Sequence, residues 1–374
     1  MRLFNDEINV IETATSISIY GAGDIGTQVA YCLMNAPYNK SIDTFLVTSL
    51  DGQSHETILG VPIISVDDAQ ISKDSLIIVA VLEKYKKEIA SKLSDLEFKN
   101  ILFLTFESDL WAAVRREHFS EYAKNKRFSK IKYLKETECH SRAEKDDTES
   151  FNIYIAKSHK DKKINEIIKN QPWEKDIQVG AGLTDQRIAD IVDSVGDNIS
   201  LQNANYCELT ALYWLWKNCK DDYIGLSHYR RRFALSDKDI SYIKDNGVDI
   251  VLTIPILNVP SVKDMYDKNH IIADWEHLEQ VLSDSYPEYL PSFYEVQNGN
   301  YYFAYNMLIM NRACLDRYCR WLFAILNACE ISDLKRDTYQ SRYLGFLSER
   351  LLSVYALYHA DDLNIVYTDK NFYE

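Results

Sequence analysis

Apolar and polar positions alternate between two periods over the first hundred residues. Ser16 to Tyr20 (SISIY) reads as a strand, and Gly21-Ala22-Gly23-Asp24-Ile25-Gly26 leads from it into a helical pattern that runs to about Met34. Thr44 to Thr48 is a second strand. Leu76 to Val81 (LIIVAV) is a continuous apolar run, the pattern of a strand covered on both faces. A helix over Lys84 to Leu93 and a strand over Ile101 to Leu104 complete the series. Strand and helix in alternation predict a parallel sheet, so residues 1–107 read as a Rossmann-like domain of nucleotide-binding type. The spacing from Asp109 to Lys135 is helical. Glu136 to Ser150 is polar and charged with no hydrophobic period, so 108–150 reads as a helical connector and linker.

A second α/β domain is predicted over 151–374. Asn152 to Ala156 (NIYIA) is a strand that ends in Lys157-Ser158-His159-Lys160. A short strand follows at Ile177 to Gly180, then a turn at Gly196-Asp197-Asn198-Ile199-Ser200. A helix opens near Asn205, with Leu209, Leu212, Tyr213 and Trp216 at i, i+3, i+4 and i+7. Glu208 in its first turn suits the helix dipole. Strands are expected at Tyr223 onward, at Asp249 to Ile256 and along Tyr301 to Met310. Helices over Leu315 to Leu326 and Leu344 to Tyr358 close the chain.

Composition narrows the function. The 374 residues, 46% of them hydrophobic, can bury two ordinary cores. A net charge of −14 argues against nucleic acid as a partner, which needs a basic face. Any phosphate site must then be a local cluster. Seven cysteines are scattered with no metal spacing; Cys207, Cys314 and Cys319 read as buried reduced thiols, which implies a cytoplasmic setting. Met1 is followed by Arg2 and polar residues, which reads as no signal peptide. The longest apolar run, Leu76 to Leu82, is far short of a membrane span. The 26 tyrosines suit carbohydrate contact and suit ordinary packing equally.

The stretch Tyr223 to Phe233 (YIGLSHYRRRF) carries the clearest chemistry. An apolar strand runs into a histidine and three arginines, at the strand end where open α/β sheets collect ligands. Guanidinium forks match phosphate. If the strand persists, period-two alternation puts His228 and Arg230 on one face and Tyr229 and Arg231 on the other. The glycine series at Gly21, Gly23 and Gly26 could cradle a pyrophosphate or simply make a tight turn, and the acidic residue that should bind a ribose after the second strand is missing. Lys124, Lys126, Arg127, Lys130, Lys132 and Lys135, interleaved with Phe128, Ile131, Tyr133 and Leu134, suit either a membrane-surface helix over 124–135 or a solvated connector. The last helix, GFLSERLLSVYALY, is apolar nearly all round, so Glu349 and Arg350 need partners. As sequence neighbours they are not expected to face each other. Glu349 reads as a catalytic base or a structural ion-pair member. Asp197, Asp274 and Glu276 are further acidic candidates. There is no HExxH, GxSxG or P-loop.

Taken in order, GDNIS at Gly196, NANYCELTALYWLWKN from Asn203, YIGLSHYRRRF, YNMLIM from Tyr305, YCRWLFAIL from Tyr318 and GFLSERLL from Gly345 resemble the bacterial family catalogued as domain of unknown function 4422. That family comprises capsular and exopolysaccharide glycosyltransferases with a GT-A-like fold, some resembling galactosyl or galactofuranosyl transferases. The resemblance implies transfer of a hexose from a nucleotide-diphosphate sugar, UDP-linked, to a lipid-linked glycan at the inner face of the membrane. On it, Glu349 or Asp274 would be the base, and His228, Arg230 and Arg231 would meet the diphosphate. Lys157, His159, Asp197 and Asn198 would line the nucleoside side. GT-A enzymes usually hold manganese or magnesium on a DxD motif; here that context ends in His228-Tyr229-Arg230, so no metal ligand is assigned. The rival expectations are a nicotinamide-dependent enzyme acting on a nucleotide sugar, from the glycine turn, and a non-catalytic nucleotide- or sugar-sensing scaffold.

Overall fold

The computed structural model describes residues 4–374 apart from 54, 138–148, 165 and 331–333. The described chain divides into two compact units, Met1–Lys126 with Leu257–Val259, and Arg127–Ile256 with Pro260–Glu374.

The first unit holds a six-stranded sheet of β1 (Ile17–Tyr20), β2 (Thr44–Val47), β3 (Thr57–Ile58), β4 (Val61–Ser65), β5 (Leu76–Val79) and β6 (Asn100–Phe103), in the order β3-β4-β2-β1-β5-β6. Every pairing is parallel except β3 with β4. Each position of β1, β2 and β5 is buried, as their unbroken apolar runs require. The helices are α1 (Asn5–Thr13), α2 (Asp24–Met34), α3 (Lys86–Asp95) and α4 (Asp109–Ala123). The turn between β1 and α2 is built on glycine for steric reasons. Gly21 has φ +121°, and a Cβ there would lie 2.5 Å from the Ala80 carbonyl oxygen. A Cβ on Gly26 would lie 1.8 Å from the Gly21 carbonyl oxygen. Gly23 faces open space, but the exposed Asp24 beside it puts a carboxylate in the first turn of α2, where an anion would bind. A cavity of about 630 Å³ opens at the opposite edge of this sheet, against Ser16, Asp43, Ser75 and Asn100 at the strands' amino ends.

The second unit is built on β7 (Lys132–Tyr133), β8 (Phe151–Lys157), β9 (Glu174–Gln178), β10 (Ile191–Val192), β11 (Tyr223–His228), β12 (Arg231–Phe233) and β13 (Ile250–Thr253). Two-residue strands β14 (Ile256–Leu257) and β15 (Tyr301–Tyr302) lie off its sheet. Then come β16 (Leu308–Asn311), β17 (Ile365–Thr368) and β18 (Lys370–Phe372). The order is β10-β9-β8-β11-β16-β13-β17-β7, with β12 and β18 branching from β11. β16 runs antiparallel to both neighbours; the other pairs along the main order are parallel. Gly225 stands mid-strand in β11 because its neighbours close over it: a Cβ would lie 2.9 Å from Ile153 and 3.0 Å from Ile309. The helices are α5 (Asn203–Tyr206), α6 (Leu209–Asn218), α7 (Asp237–Asp245), α8 (Val262–Asn269), α9 (Ile272–Ser285), α10 (Leu290–Asn298), α11 (Arg312–Ala328) and α12 (Tyr343–Tyr358).

Three expectations change. The 109–135 stretch is α4 followed by short 3-10 turns and β7, not one helix. Phe128, Ile131, Tyr133 and Leu134 are buried, so no apolar helix face is left to rest on lipid. Lys124 pairs with Glu121, Arg127 and Lys130 share Asp361, and Lys135 pairs with Asp369. The expected helix near Asn205 is broken at Cys207, and the 301–310 strand is broken at Tyr305-Asn306; all three residues have positive φ. α7 and α8 are short amphipathic helices that bury Ile240 and Ile243, and Val262 and Tyr266, and both carry Ser-x-x-Asp starts: Ser236 accepts from the Asp239 amide and Ser261 from the Asp264 amide. Among the described residues no helix is long and apolar enough to cross a membrane.

The glycine turn gives a direct prediction. Gly26→Ala should destabilise the first unit by ~1–3 kcal/mol or more, because the Cβ meets backbone that cannot swing away. Gly23→Ala should be nearly neutral. Thermal melts of the two variants check this, and equal melting temperatures would refute it.

Candidate active site

Strands β8 and β11 run side by side in parallel, with Ala156 opposite His228, so their carboxyl ends open at one place. A cavity of about 760 Å³ lies there. Ala156, Ser158, Lys160 and Asp161 come to its wall from the end of β8 and the loop after it, and His228 to Arg231 from the end of β11 and the turn into β12. Asn203, Ala204, Cys207 and Glu208 come from the α5–α6 junction, and Arg336 and Arg342 from the segment before α12. The wall carries five cations, Lys160, Arg230, Arg231, Arg336 and Arg342, against two carboxylates, Asp161 and Glu208. In a chain of net charge −14 this is a local inversion of sign.

The arginines of the tip are not on alternating faces of one strand. β11 stops at His228, Tyr229-Arg230 form a turn, and β12 returns antiparallel with Arg231 opposite His228. Arg230 donates its Nε to the Tyr373 carbonyl at 2.9 Å and lies over the Phe372 ring. The Arg231 guanidinium sits 4.4 Å above the Tyr305 ring. Arg232 points the other way, is 4% exposed, and pairs with Glu174 at 2.9 Å and Asn170 at 3.0 Å. Two of the three consecutive arginines therefore line this cavity, and the third is buried against a smaller adjoining one. His228 Nε2 lies 2.5 Å from the Tyr305 carbonyl oxygen. A carbonyl only accepts, so Nε2 carries the hydrogen and Nδ1 the lone pair. Burial depresses the imidazole's pKa and keeps the ring neutral. A neutral ring with its N–H already used is a poor diphosphate donor, so the expected role of His228 does not fit its geometry.

Strained backbone clusters here. Cys207 has φ 52° and ψ −130°, Tyr305 φ 70° and Asn306 φ 51°. Such conformations cost ~1–3 kcal/mol each and persist where surroundings impose them. Asn306 shows what imposes them. Its Nδ2 donates to Glu208 Oε1 at 2.6 Å and to the Gly345 carbonyl at 3.2 Å, while its Oδ1 accepts from Ser348 at 2.8 Å. Cys207, expected as a core thiol, is half-buried in the wall; burial pushes its pKa up to about 12, so it is no thiolate nucleophile.

The expected catalytic and nucleoside residues fall in several places. Glu349 and Arg350 do meet, at 3.1 Å, because the long arginine side chain folds back over its neighbour. Glu349 also accepts from the Tyr302 hydroxyl at 3.4 Å and from the Tyr305 amide. Burial raises its pKa; Arg350 opposes the rise and Glu208 adds to it. It sits behind the wall rather than in it. Asp274 is fully buried and clamped by both terminal nitrogens of Arg336, so it positions a wall arginine and has no access to a substrate. Glu276 is exposed on α9, away from the wall.

Asp197 and Asn198 form a turn against α6, where Tyr213 and Asn218 bind Asp197, so neither lines the cavity. Lys157 pairs with Asp176 at 2.5 Å and lines an adjoining cavity of about 300 Å³. His159 lines neither cavity, and its Nδ1 is buried without a partner. The residue that holds the loop after β9 is Asp193, buried, accepting from the amides of Gly180 and Ala181 and the hydroxyls of Ser200 and Thr210. Among the described residues no three His, Cys, Asp or Glu side chains converge as a metal-ligand set.

Sequence reading missed Glu208, Asn306, Arg336 and Arg342. Glu208 was visible only as a helix-start charge. Asn306 lay inside an apparent strand. The two arginines sit in a segment with no period.

A family model described as "Domain of unknown function (DUF4422)" matches residues 152–360. Among solved structures, one titled as the apo form of the bifunctional glycosyltransferase WbbM aligns with a TM-score of 0.53 at 25% identity, covering 60% of this chain and 45% of that one. The alignment thus spans under half of WbbM's length. No curated protein matches.

The split of the arginines predicts two different phenotypes. Arg232→Ala strands the buried Glu174 carboxylate and should cost ~3–5 kcal/mol of stability. Arg231→Ala, at a half-buried position over the Tyr305 and Phe372 rings, should cost less. Urea unfolding of both variants checks the ranking, and the reverse order would contradict the placement.

Proposed function

The chain belongs to the DUF4422 family, and we propose that it is a glycosyltransferase whose second unit moves a hexose from a nucleoside-diphosphate sugar to a hydroxyl of a lipid-linked glycan. The donor is UDP-linked, and galactose or galactofuranose is the sugar. The setting is capsular or exopolysaccharide synthesis, in the cytoplasm at the inner face of the membrane where such acceptors are held. The observation that carries the reading is the arginine cluster at the carboxyl ends of β8 and β11 in an acidic chain. The mixed sheet, reversed at β16 along its main order, and the likeness to a glycosyltransferase structure support a GT-A-like assignment for this unit.

In this reading Arg230, Arg231, Arg336 and Arg342 bind the diphosphate and offset the charge that grows on it as the sugar departs. Ser158, Val179 and Asn203 border the nucleoside, replacing the Asp197 and Asn198 expected from sequence. His228, with Nδ1 free to accept, faces a sugar hydroxyl. The divalent metal that GT-A enzymes hold on DxD does not fit the residues present. His228-Tyr229-Arg230 stands in that place, and the wall is cationic.

A thermal-shift screen of UDP-, GDP- and dTDP-sugars, with and without manganese, tests the ligand class; a UDP-sugar should raise the melting temperature most. Losing one charge-assisted contact should weaken donor binding by ~1.5–3 kcal/mol, so Arg230→Ala and Arg231→Ala should each raise the donor Kd roughly tenfold to a hundredfold. If both variants keep wild-type affinity and turnover, the diphosphate site lies elsewhere.

A further inference from the structure

We propose that Glu208 is the catalytic residue that removes the acceptor proton, in place of Glu349. The inference rests on the transferase reading above.

The wall offers two carboxylates. Asp161 accepts the Ser158 amide at 2.7 Å and closes the loop after β8, on the nucleoside side. Glu208 stands at the start of α6, and its charge acts on His228. It is 9% exposed, so it meets the cavity while most of the side chain is packed. Its Oε1 is fixed by Asn306, and that amide cannot be reversed, because reversal would set its oxygen against the carboxylate. Among the described residues Oε2 has no hydrogen-bond partner. The carboxylate is thus aimed by one donor and left able to accept from whatever enters the cavity.

Glu349 differs on each point. Its Oε2 takes donors from Arg350 and Tyr302, the Tyr305 amide adds a third, and it does not reach the wall. A carboxylate with three donors is committed to holding the Tyr305-Asn306 bend. General bases need hydrogen-bond reach to the proton they take, and of the two glutamates only Glu208 lines the cavity.

The step balances as a single displacement. The acceptor O–H bond breaks and its proton moves to Glu208. The oxygen's electron pair forms the new bond to the anomeric carbon. The bond from that carbon to the phosphate oxygen breaks, and its pair leaves on the nucleoside diphosphate beside the arginines. The anomeric carbon inverts, and Glu208 returns its proton to water as product leaves.

The test uses the full chain, UDP binding by calorimetry, and transfer from UDP-galactose, UDP-galactofuranose, UDP-glucose and GDP-mannose to octyl β-galactoside and octyl β-glucoside. Glu208→Gln should keep the UDP Kd within about threefold and lower kcat by about 10²–10⁴-fold, the usual weight of a general base. Glu349→Gln should lose less turnover and more melting temperature. Should the amide variant fail to fold, Glu208→Asp serves: charge kept, oxygens drawn back, kcat at least about tenfold down with UDP affinity retained. A folded Glu208 variant that turns over at the wild-type rate overturns the inference alone. So does a folded Glu349→Gln that loses more turnover than Glu208→Gln. A wild-type chain that binds no UDP and transfers from none of these donors overturns the transferase reading and this step with it.

Discussion

Much of the second unit's cavity depends on one side-chain amide. Asn306 ties the start of α6, through Glu208, to α12, through Gly345 and Ser348, from a backbone position just before β16. Each of its polar groups is engaged, and it is buried. A buried amide that lost one partner would cost about 1–3 kcal/mol. The same bend turns the Tyr305 carbonyl toward His228 and the Tyr305 ring beneath Arg231. Two left-handed residues in a row are unfavourable for non-glycine side chains. What makes them affordable is that both lead into bonds with three separate segments. Strain and site coincide because the site's geometry is what the strain sets.

The cations work by locality. Charges farther apart than about 8 Å are screened in physiological salt, so the chain's net −14 is felt weakly inside a cleft lined by its own arginines. Three devices hold those guanidiniums. Tyr373 and Phe372 of the chain end hold Arg230, the Tyr305 ring carries Arg231, and Asp274 grips Arg336 from below. Fixed guanidiniums need little reorganisation when charge develops, which is where electrostatic catalysis gains most.

Sequence patterning reached the architecture well where burial is two-sided or periodic. LIIVAV, SISIY and YIGLSH each form strands of the expected kind, and α11 and α12 lie where their apolar spacing put them. That the tip would border a cavity was legible because three adjacent arginines after an apolar strand have few bland explanations. What stayed hidden was set by tertiary contact. Nothing local tells that Arg232 turns to Glu174 while its neighbours face the cavity; the hairpin between β11 and β12 decides it. Nothing local breaks YYFAYNMLIM at Tyr305, since the bend is imposed by α6 and α12. The short helices α7 and α8 bury only two residues each, so their starts are marked more sharply by the capping Ser236 and Ser261 than by apolar spacing.

On the proposed reading, Glu349 and Glu208 illustrate why burial alone is a weak guide to catalytic carboxylates. An acidic residue on an all-apolar helix is conspicuous, and burial does raise the Glu349 pKa. The same burial obliges it to collect donors, and a carboxylate surrounded by donors is occupied with structure. Glu208 looks ordinary in sequence, a charge at a helix start. It becomes chemically useful because the break at Cys207 lets the chain turn there, and the turn delivers the carboxylate to a cavity edge with a single partner. The conspicuous residue is the one the fold had to neutralise, and the serviceable one is the residue the fold could leave unfinished.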